Sequence, residues 1–264
     1  MSEPWFTFPN IDPVIVAIGP IALHWYGMMY LLGLLGAMWM LNRHADKPNS
    51  GWTRDQVADL LFYCFLGVIV GGRLGYVLFY GWQWLLEDPL YLFRISDGGM
   101  SFHGGLIGVI TAMGFVAWRQ RRGYWEVADL IAPTIPIGLG LGRIGNFING
   151  ELWGRTTEMP WGIVFPGAGP LPRHPSQLYE SFLEGLVLFL LLWWFSKRTD
   201  KPGAVSGLFL VGYGVSRFLV EYVREPDAHM SLYLGMTMGQ LLTVPMLVFG
   251  FYLMVRPVRK EKQE

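Results

Sequence analysis

Seven apolar runs, each long enough to cross about 30 Å of hydrocarbon as a helix, recur along the chain and leave few folds open to it. They lie at roughly residues 14–41, 57–80, 101–118, 127–147, 176–195, 204–222 and 235–255, the fourth interrupted by Pro133, Pro136 and several glycines. Of 264 residues, 52% are hydrophobic and 15% are charged, whereas a water-soluble domain needs about 25% charge to clothe its surface. The expected fold is an all-α polytopic membrane protein of seven transmembrane helices, read as one domain over 1–264 because no internal repeat is evident.

Orientation follows from lysine and arginine. Alternate connections are basic, with Arg43, Lys47 and Arg54, then Arg119, Arg121 and Arg122, then Lys197, Arg198 and Lys201, and finally Arg256, Arg259, Lys260 and Lys262. The positive-inside rule puts all four in the cytoplasm and the N-terminus outside. Glu3 and Asp12 stand where a signal peptide would carry basic residues, so the first helix is expected to remain in the mature protein. On the outer side the connection from about 150 to 175 holds five prolines, Pro160, Pro166, Pro170, Pro172 and Pro175, and cannot be a helix. Its Trp153, Trp161 and Phe165 suit a small irregular head lying at the membrane interface over the outer mouth of the bundle. Leu85–Phe93, preceded by Trp82 and Trp84, reads as a short interfacial helix.

Zero net charge removes the overall basic field that nucleic-acid binding calls for. A single cysteine, Cys64, excludes an internal disulfide framework and a multi-cysteine metal site, and reads as a small buried hydrophobe.

Chemistry is expected where polar residues enter apolar sequence. The segment from Gly142 to Arg155 follows an uncharged run, Leu130–Leu141, so Arg143 and Asn146 fall at or near the end of a span. A charge at such depth costs roughly 2.5–3.5 kcal/mol on insertion scales and is normally held for function. The seven basic residues off the cytoplasmic side, Arg73, Arg94, Arg143, Arg155, Arg173, Arg217 and Arg224, are all arginine. Arginine stays charged when desolvated and grips phosphate or carboxylate as a planar fork, which implies an outward-facing anion site. His103 precedes Gly104 and Gly105, which allow close approach of another backbone or a ligand; it is either a titrating catalyst or a hydrogen-bonded packing residue. Tyr213, Arg217, Glu221 and Arg224 form one helical stripe, either an anion site or an ion-pair ladder between helices. Tyr26 offers a hydroxyl to the bundle or belongs to an aromatic belt, and Arg73 adds one more buried cation, for which pairing with a carboxylate is the plain alternative. Gly138, Gly140 and Gly142 do not form a nucleotide loop, because no strand precedes them and no acidic residue stands at the right distance.

Taken together, these clusters resemble the bacterial prolipoprotein diacylglyceryl transferase family over essentially the whole chain. The carriers are Arg143, Gly145, Asn146, Asn149, Glu151 and Gly154 in one block. Co-linear with it are His103-Gly104-Gly105-Leu106, His174-Pro175-Ser176-Gln177-Leu178-Tyr179-Glu180, and Tyr213 through Arg217, Glu221, Arg224 and Asp227. The resemblance implies a bacterial inner-membrane enzyme, active toward the periplasm. It would move the diacylglyceryl group of phosphatidylglycerol onto the lipobox cysteine of a preprolipoprotein signal peptide and release glycerol 1-phosphate, with no metal, cofactor or nucleic acid required.

The expected catalytic residues are then His103, as base for the thiol, with Arg143 and Arg217 stabilising the phosphate that leaves. Tyr26, Asn146, Glu151, Gly154, Tyr213, Glu221 and Arg224 are expected to bind or position substrate, Gly154 by permitting a tight turn. A lipid or anion transporter also uses glycine-rich, proline-broken spans with intramembrane arginines, and a structural membrane scaffold is a third reading. The clustering of every polar motif on one side and the missing repeat argue against transport.

Overall fold

The structure, a computed structural model, describes residues 6–19, 21–94, 98–225 and 237–257. Asp227, Glu3 and the terminal Arg259, Lys260 and Lys262 lie outside the described residues. The chain is mostly helical and forms two compact units, one of residues 1–37 with 131–264, the other of 38–130. By length and composition, four described helices can cross a membrane, Arg54–Phe79, Tyr124–Ile148, Ser176–Phe195 and Met238–Val255; Ala204–Val220 is a shorter apolar helix.

The first unit opens with β-structure where the sequence suggested the start of a span. Strand β1 (Phe6–Thr7) is followed by a hairpin of β2 (Val14–Ile18) and β3 (Ile21–His24), and only then by helix α1 (Trp25–Ala45). Hydropathy reports an apolar run but not its conformation; β-branched Val14, Ile15, Val16 and Ile18 favour the pleated form, and Gly19 turns the chain at φ +60°.

In the second unit Thr53 and Gln56 form a reciprocal capping box that starts α2 (Arg54–Phe79). The expected interfacial helix is two pieces, α3 (Trp82–Glu87) and a 3₁₀ turn over Pro89–Phe93. Pro89 cannot continue α3, and Asp88 instead caps Leu90 N–H at 2.9 Å. Arg73 pairs with no carboxylate among the described residues. It donates from Nε to Leu92 O at 3.1 Å and from Nη2 to Tyr91 O at 2.6 Å, with its Cζ 4.7 Å from the Tyr91 ring, and so ties this segment to α2. Its polar demand is met by loop carbonyls, a pairing no sequence spacing announces.

Helix α4 (Phe102–Arg119) packs on α2 through glycines. A Cβ on Gly75 would stand 2.8 Å from Gly104 Cα, and one on Gly71 2.9 Å from Gly108 Cα. Small residues at this spacing let helix backbones meet where lipid supplies no hydrophobic drive. Gly104 therefore serves the approach of another backbone.

Helix α5 (Tyr124–Ile131) runs through a 3₁₀ turn, Ala132–Thr134, into α6 (Ile135–Ile148). Pro133 and Pro136 sit in the first turns of these segments, where a missing N–H costs least. Within the first unit, α1 approaches α6 at Gly33, whose Cβ would lie 3.1 Å from Gly138 Cα, and at Gly145, whose Cβ would lie 2.9 Å from the Tyr26 ring. Residues 149–175 are irregular, pinned by backbone pairs between Ile163 and Arg173 at 2.8 and 2.9 Å and by strand β4 (Ile163–Val164) beside β1. Phe8, Phe147, Trp153 and fully buried Phe165 form their aromatic core.

Helix α7 (Ser176–Glu180), a π-helical turn (Ser181–Val187) and α8 (Leu188–Phe195) then run on as one rod. Gly185 meets Gly140 of α6 there, and Ser181 Oγ donates to Gly140 O at 3.0 Å. Helices α9 (Ala204–Val220) and α10 (Met238–Val255) pack through Gly207 and Gly250.

Candidate active site

The first unit gathers its charges around one carboxylate. Glu180, the last residue of α7, has a fully buried side chain. Its Oε1 accepts from Arg217 Nη1 at 2.7 Å and from Arg224 Nη1 at 3.0 Å, while its Oε2 lies 3.0 Å from Arg143 Nε. One carboxylate thus ties arginines from α6, from α9 and from the turn that follows α9. Arg217 also reaches Glu221 one helical turn on, Nη2 to Oε2 at 3.0 Å, and Glu221 accepts from Thr237 Oγ1 at 2.9 Å. The three arginine side chains keep 15–19% exposure, so none is sealed from a ligand. Guanidinium groups held this way are pre-oriented donors in surroundings that weaken competition from water.

Asn146, on α6 one turn after Arg143, donates from Nδ2 to Glu151 Oε1 at 2.9 Å, and Asn149 donates to the same oxygen at 3.0 Å. Gln177 Nε2 holds the Glu151 carbonyl at 2.6 Å. Glu151 therefore faces amides rather than a guanidinium, and the signature block is fastened to the start of α7. Tyr26 donates to or accepts from Tyr30 at 3.0 Å, and the charges of Glu151 and Arg143 act on its hydroxyl. Tyr213 stacks on Phe209 at 5.9 Å beside the apolar cluster of Ala132, Leu188, Leu192 and Val205. Its hydroxyl feels Glu184, Arg217, Arg143 and Glu180.

Gly154 does not make the tight turn expected of it. Within residues 142–155 the left-handed positions are Gly150 at φ +66° and Leu152 at φ +58°. Gly154 instead lies in an antiparallel bridge with Arg224, donating to His174 O at 2.9 Å, where a Cβ would stand 2.9 Å from His174 O. It is small because two backbones close on it, and that closure fixes Arg224. Nearby, Trp161 Nε1 donates to Tyr179 Oη at 2.7 Å, and Tyr179 Oη lies 3.2 Å from His174 Nδ1. Burial holds the His174 imidazole below its ordinary range, which suits a neutral hydrogen-bonding partner.

Three of the other arginines expected on the outer side, Arg94, Arg155 and Arg173, make architectural contacts. Arg94 pairs with Asp88, Arg155 donates to Arg224 O at 2.8 Å, and Arg173 pairs with Glu225 at 3.0 Å. His103 belongs to the second unit, exposed in the first turn of α4 behind the Ser101 cap, with its ring 5.6 Å from that of Phe102. Two carboxylates absent from the expected site, Glu180 and Glu184, are among its central members. The available signal was their spacing of four inside the apolar run 176–195, where an ionisable residue is costly enough to suggest a partner.

These features define a helical membrane protein with a largely desolvated arginine–glutamate cluster, chemistry suited to holding an anion. A profile of the prolipoprotein diacylglyceryl transferase family matches residues 13–256, and the chain belongs to that family. It is 64% identical over 264 residues to the phosphatidylglycerol–prolipoprotein diacylglyceryl transferase of Shewanella sp. (strain ANA-3), covering 96% of this chain and 98% of the relative. The proteins of that name from Vibrio parahaemolyticus and Photobacterium profundum are each 61% identical over 256 residues, covering 97% of this chain and 94% and 96% of their own lengths.

Proposed function

We propose that this protein transfers the diacylglyceryl group of phosphatidylglycerol to the lipobox cysteine of preprolipoprotein signal peptides. The observation that carries the reading is the convergence of Arg143, Arg217 and Arg224 on Glu180. The thiolate sulfur attacks the glycerol carbon that bears the phosphate, the C–O bond breaks, and its electron pair stays on the phosphate oxygen. A thioether forms, and the phosphodiester monoanion departs as glycerol 1-phosphate with one more negative charge. Guanidinium groups fixed at that phosphate stabilise the transition state more than the bound lipid. Arg143 and Arg217 are the catalytic arginines and Arg224 a binding one. Tyr26, Asn146, Glu151, Tyr213 and Glu221 orient the headgroup or these arginines, and Gly154 admits the chain that carries Arg224. Purified protein with phosphatidylglycerol should make a lipobox peptide heavier by one diacylglyceryl unit; an unchanged peptide mass refutes the transfer.

His103 is the base that takes the thiol proton in this reading. A free cysteine thiol titrates near 8.5, so at pH 9 much of the peptide ionises unaided. His103→Ala should therefore lose more activity at pH 6.5 than at pH 9, measured as kcat/KM for the peptide. Equal loss at both values assigns His103 to packing or lipid orientation instead.

The membrane arrangement belongs to the same proposal: one domain in the bacterial inner membrane, seven spans, a periplasmic N-terminus and head, and a cytoplasmic tail. The alternating basic connections support it, as does a single family match that runs through both compact units. In a Cys64→Ala background, Glu158→Cys in the head should react with an impermeant thiol reagent from the periplasmic side. Reaction only from the cytoplasmic side overturns the topology.

A further inference from the structure

Among the described residues, Glu184 is the cluster carboxylate with no counter-charge in close contact. Its side chain is fully buried on the π-helical turn, one turn after Glu180, and neither oxygen has a hydrogen-bond donor among the described residues. The nearest cation among the described residues, Arg143 Nη2, stands 4.0 Å from Oε2, beyond hydrogen-bond range. Glu180, by contrast, meets three guanidinium groups, and Glu221 has Arg217 and the Thr237 hydroxyl. Around Glu184 the packed elements bring Arg143 from α6, Glu180 from α7, and Tyr213 and Arg217 from α9, with Arg224 beyond the end of α9. Helix α8 contributes no titratable side chain. Glu151 takes its hydrogen bonds from Asn146 and Asn149, outside this set of ion pairs.

With Arg143, Arg217, Arg224, Glu180, Glu184 and Glu221 all ionised, the ion-paired cluster is neutral and an entering phosphodiester makes it net negative. A carboxylate without donors in a desolvated site beside a second carboxylate is costly, and a proton removes that cost.

We propose that Glu184 is a positioning residue held as the neutral acid in the resting enzyme, and that its proton gives the arginine cluster the single net positive charge that admits one phosphate monoanion. The proposal rests on the transferase reading for the identity of that anion. Loss of the Glu184 proton closes the site to lipid without touching the thiol chemistry, so Glu184 governs the KM for phosphatidylglycerol rather than kcat. The phosphodiester has no titration near neutrality, so a pH-dependent lipid KM reports the protein.

The test uses full-length protein in detergent, with phosphatidylglycerol and a lipobox peptide, between pH 6.5 and 9.5. Once the acid titrates, the wild-type KM for the lipid should climb by up to about tenfold per pH unit, because apparent affinity scales with the competent fraction. In Glu184→Gln, neutral at every pH, this rise should vanish. The same pH dependence in both proteins, or a fall in kcat with an unchanged lipid KM profile, overturns the proposal. The infrared spectrum of lipid-free wild-type protein should contain a protonated-carboxyl C=O band that Glu184→Gln lacks and Glu184→Asp shifts. Its absence overturns the proposal whatever the transfer assay gives, and its presence with no transfer by wild type refutes the transferase reading alone.

Discussion

Arg143→Lys and Arg217→Lys should each lose about tenfold to a hundredfold in diacylglyceryl transfer while remaining inserted and folded. Lysine keeps the charge but presents a compact ammonium on a flexible stem, without the planar fork that bridges Glu180 and a phosphate together. A charge-assisted contact of this kind is worth roughly 1.5–3 kcal/mol, and when it is made only in the transition state that energy appears as the stated loss of rate. Arg217 is the more exacting position, because one guanidinium serves Glu180 at 2.7 Å and Glu221 at 3.0 Å. Transfer measured beside the detergent melting temperature separates the cases. Near-normal transfer by both variants, or a loss that only follows unfolding, contradicts the phosphate-clamp assignment.

Glu180→Gln should be the more damaging substitution for the protein as a whole. The amide keeps the shape but removes the charge that three guanidinium groups share, and breaking a buried ion pair by removing one partner costs about 3–5 kcal/mol. Glutamine also turns an Nε2–H₂ toward Arg217 or Arg143, placing donor against donor. The expected result is a clearly lowered melting temperature together with loss of transfer in the protein that remains folded. An unchanged melting temperature would mean that the α6–α7–α9 junction does not depend on this carboxylate.

The helical membrane class was legible from the apolar runs, and four of them coincide with helices long and apolar enough to cross a membrane. What hydropathy could not give was the conformation of Val14–Ile18, since an apolar run reads alike as strand or helix until packing decides. Arg143, Arg217 and Arg224 stood out because charge in apolar sequence is expensive. Their common partner was hidden, because Glu180 lies 37 residues from Arg217 and 44 from Arg224 and no local spacing links them. Gly154 was legible as a glycine in a signature block, but its reason, the closure of the His174 and Val223 backbones on it, exists only in three dimensions.

The central claim, that the arginine cluster grips the phosphate of phosphatidylglycerol during transfer, meets its most direct test in a lipid whose phosphate has lost its charge. A methyl phosphotriester of phosphatidylglycerol expels a phosphodiester, a weaker base and so intrinsically the better leaving group. If Arg143 and Arg217 act on the phosphate charge, this neutral lipid should nevertheless be transferred to the lipobox peptide at least about tenfold more slowly than phosphatidylglycerol, by loss of a charge-assisted contact. Transfer from the triester as fast as from the natural lipid, or faster, would contradict the account.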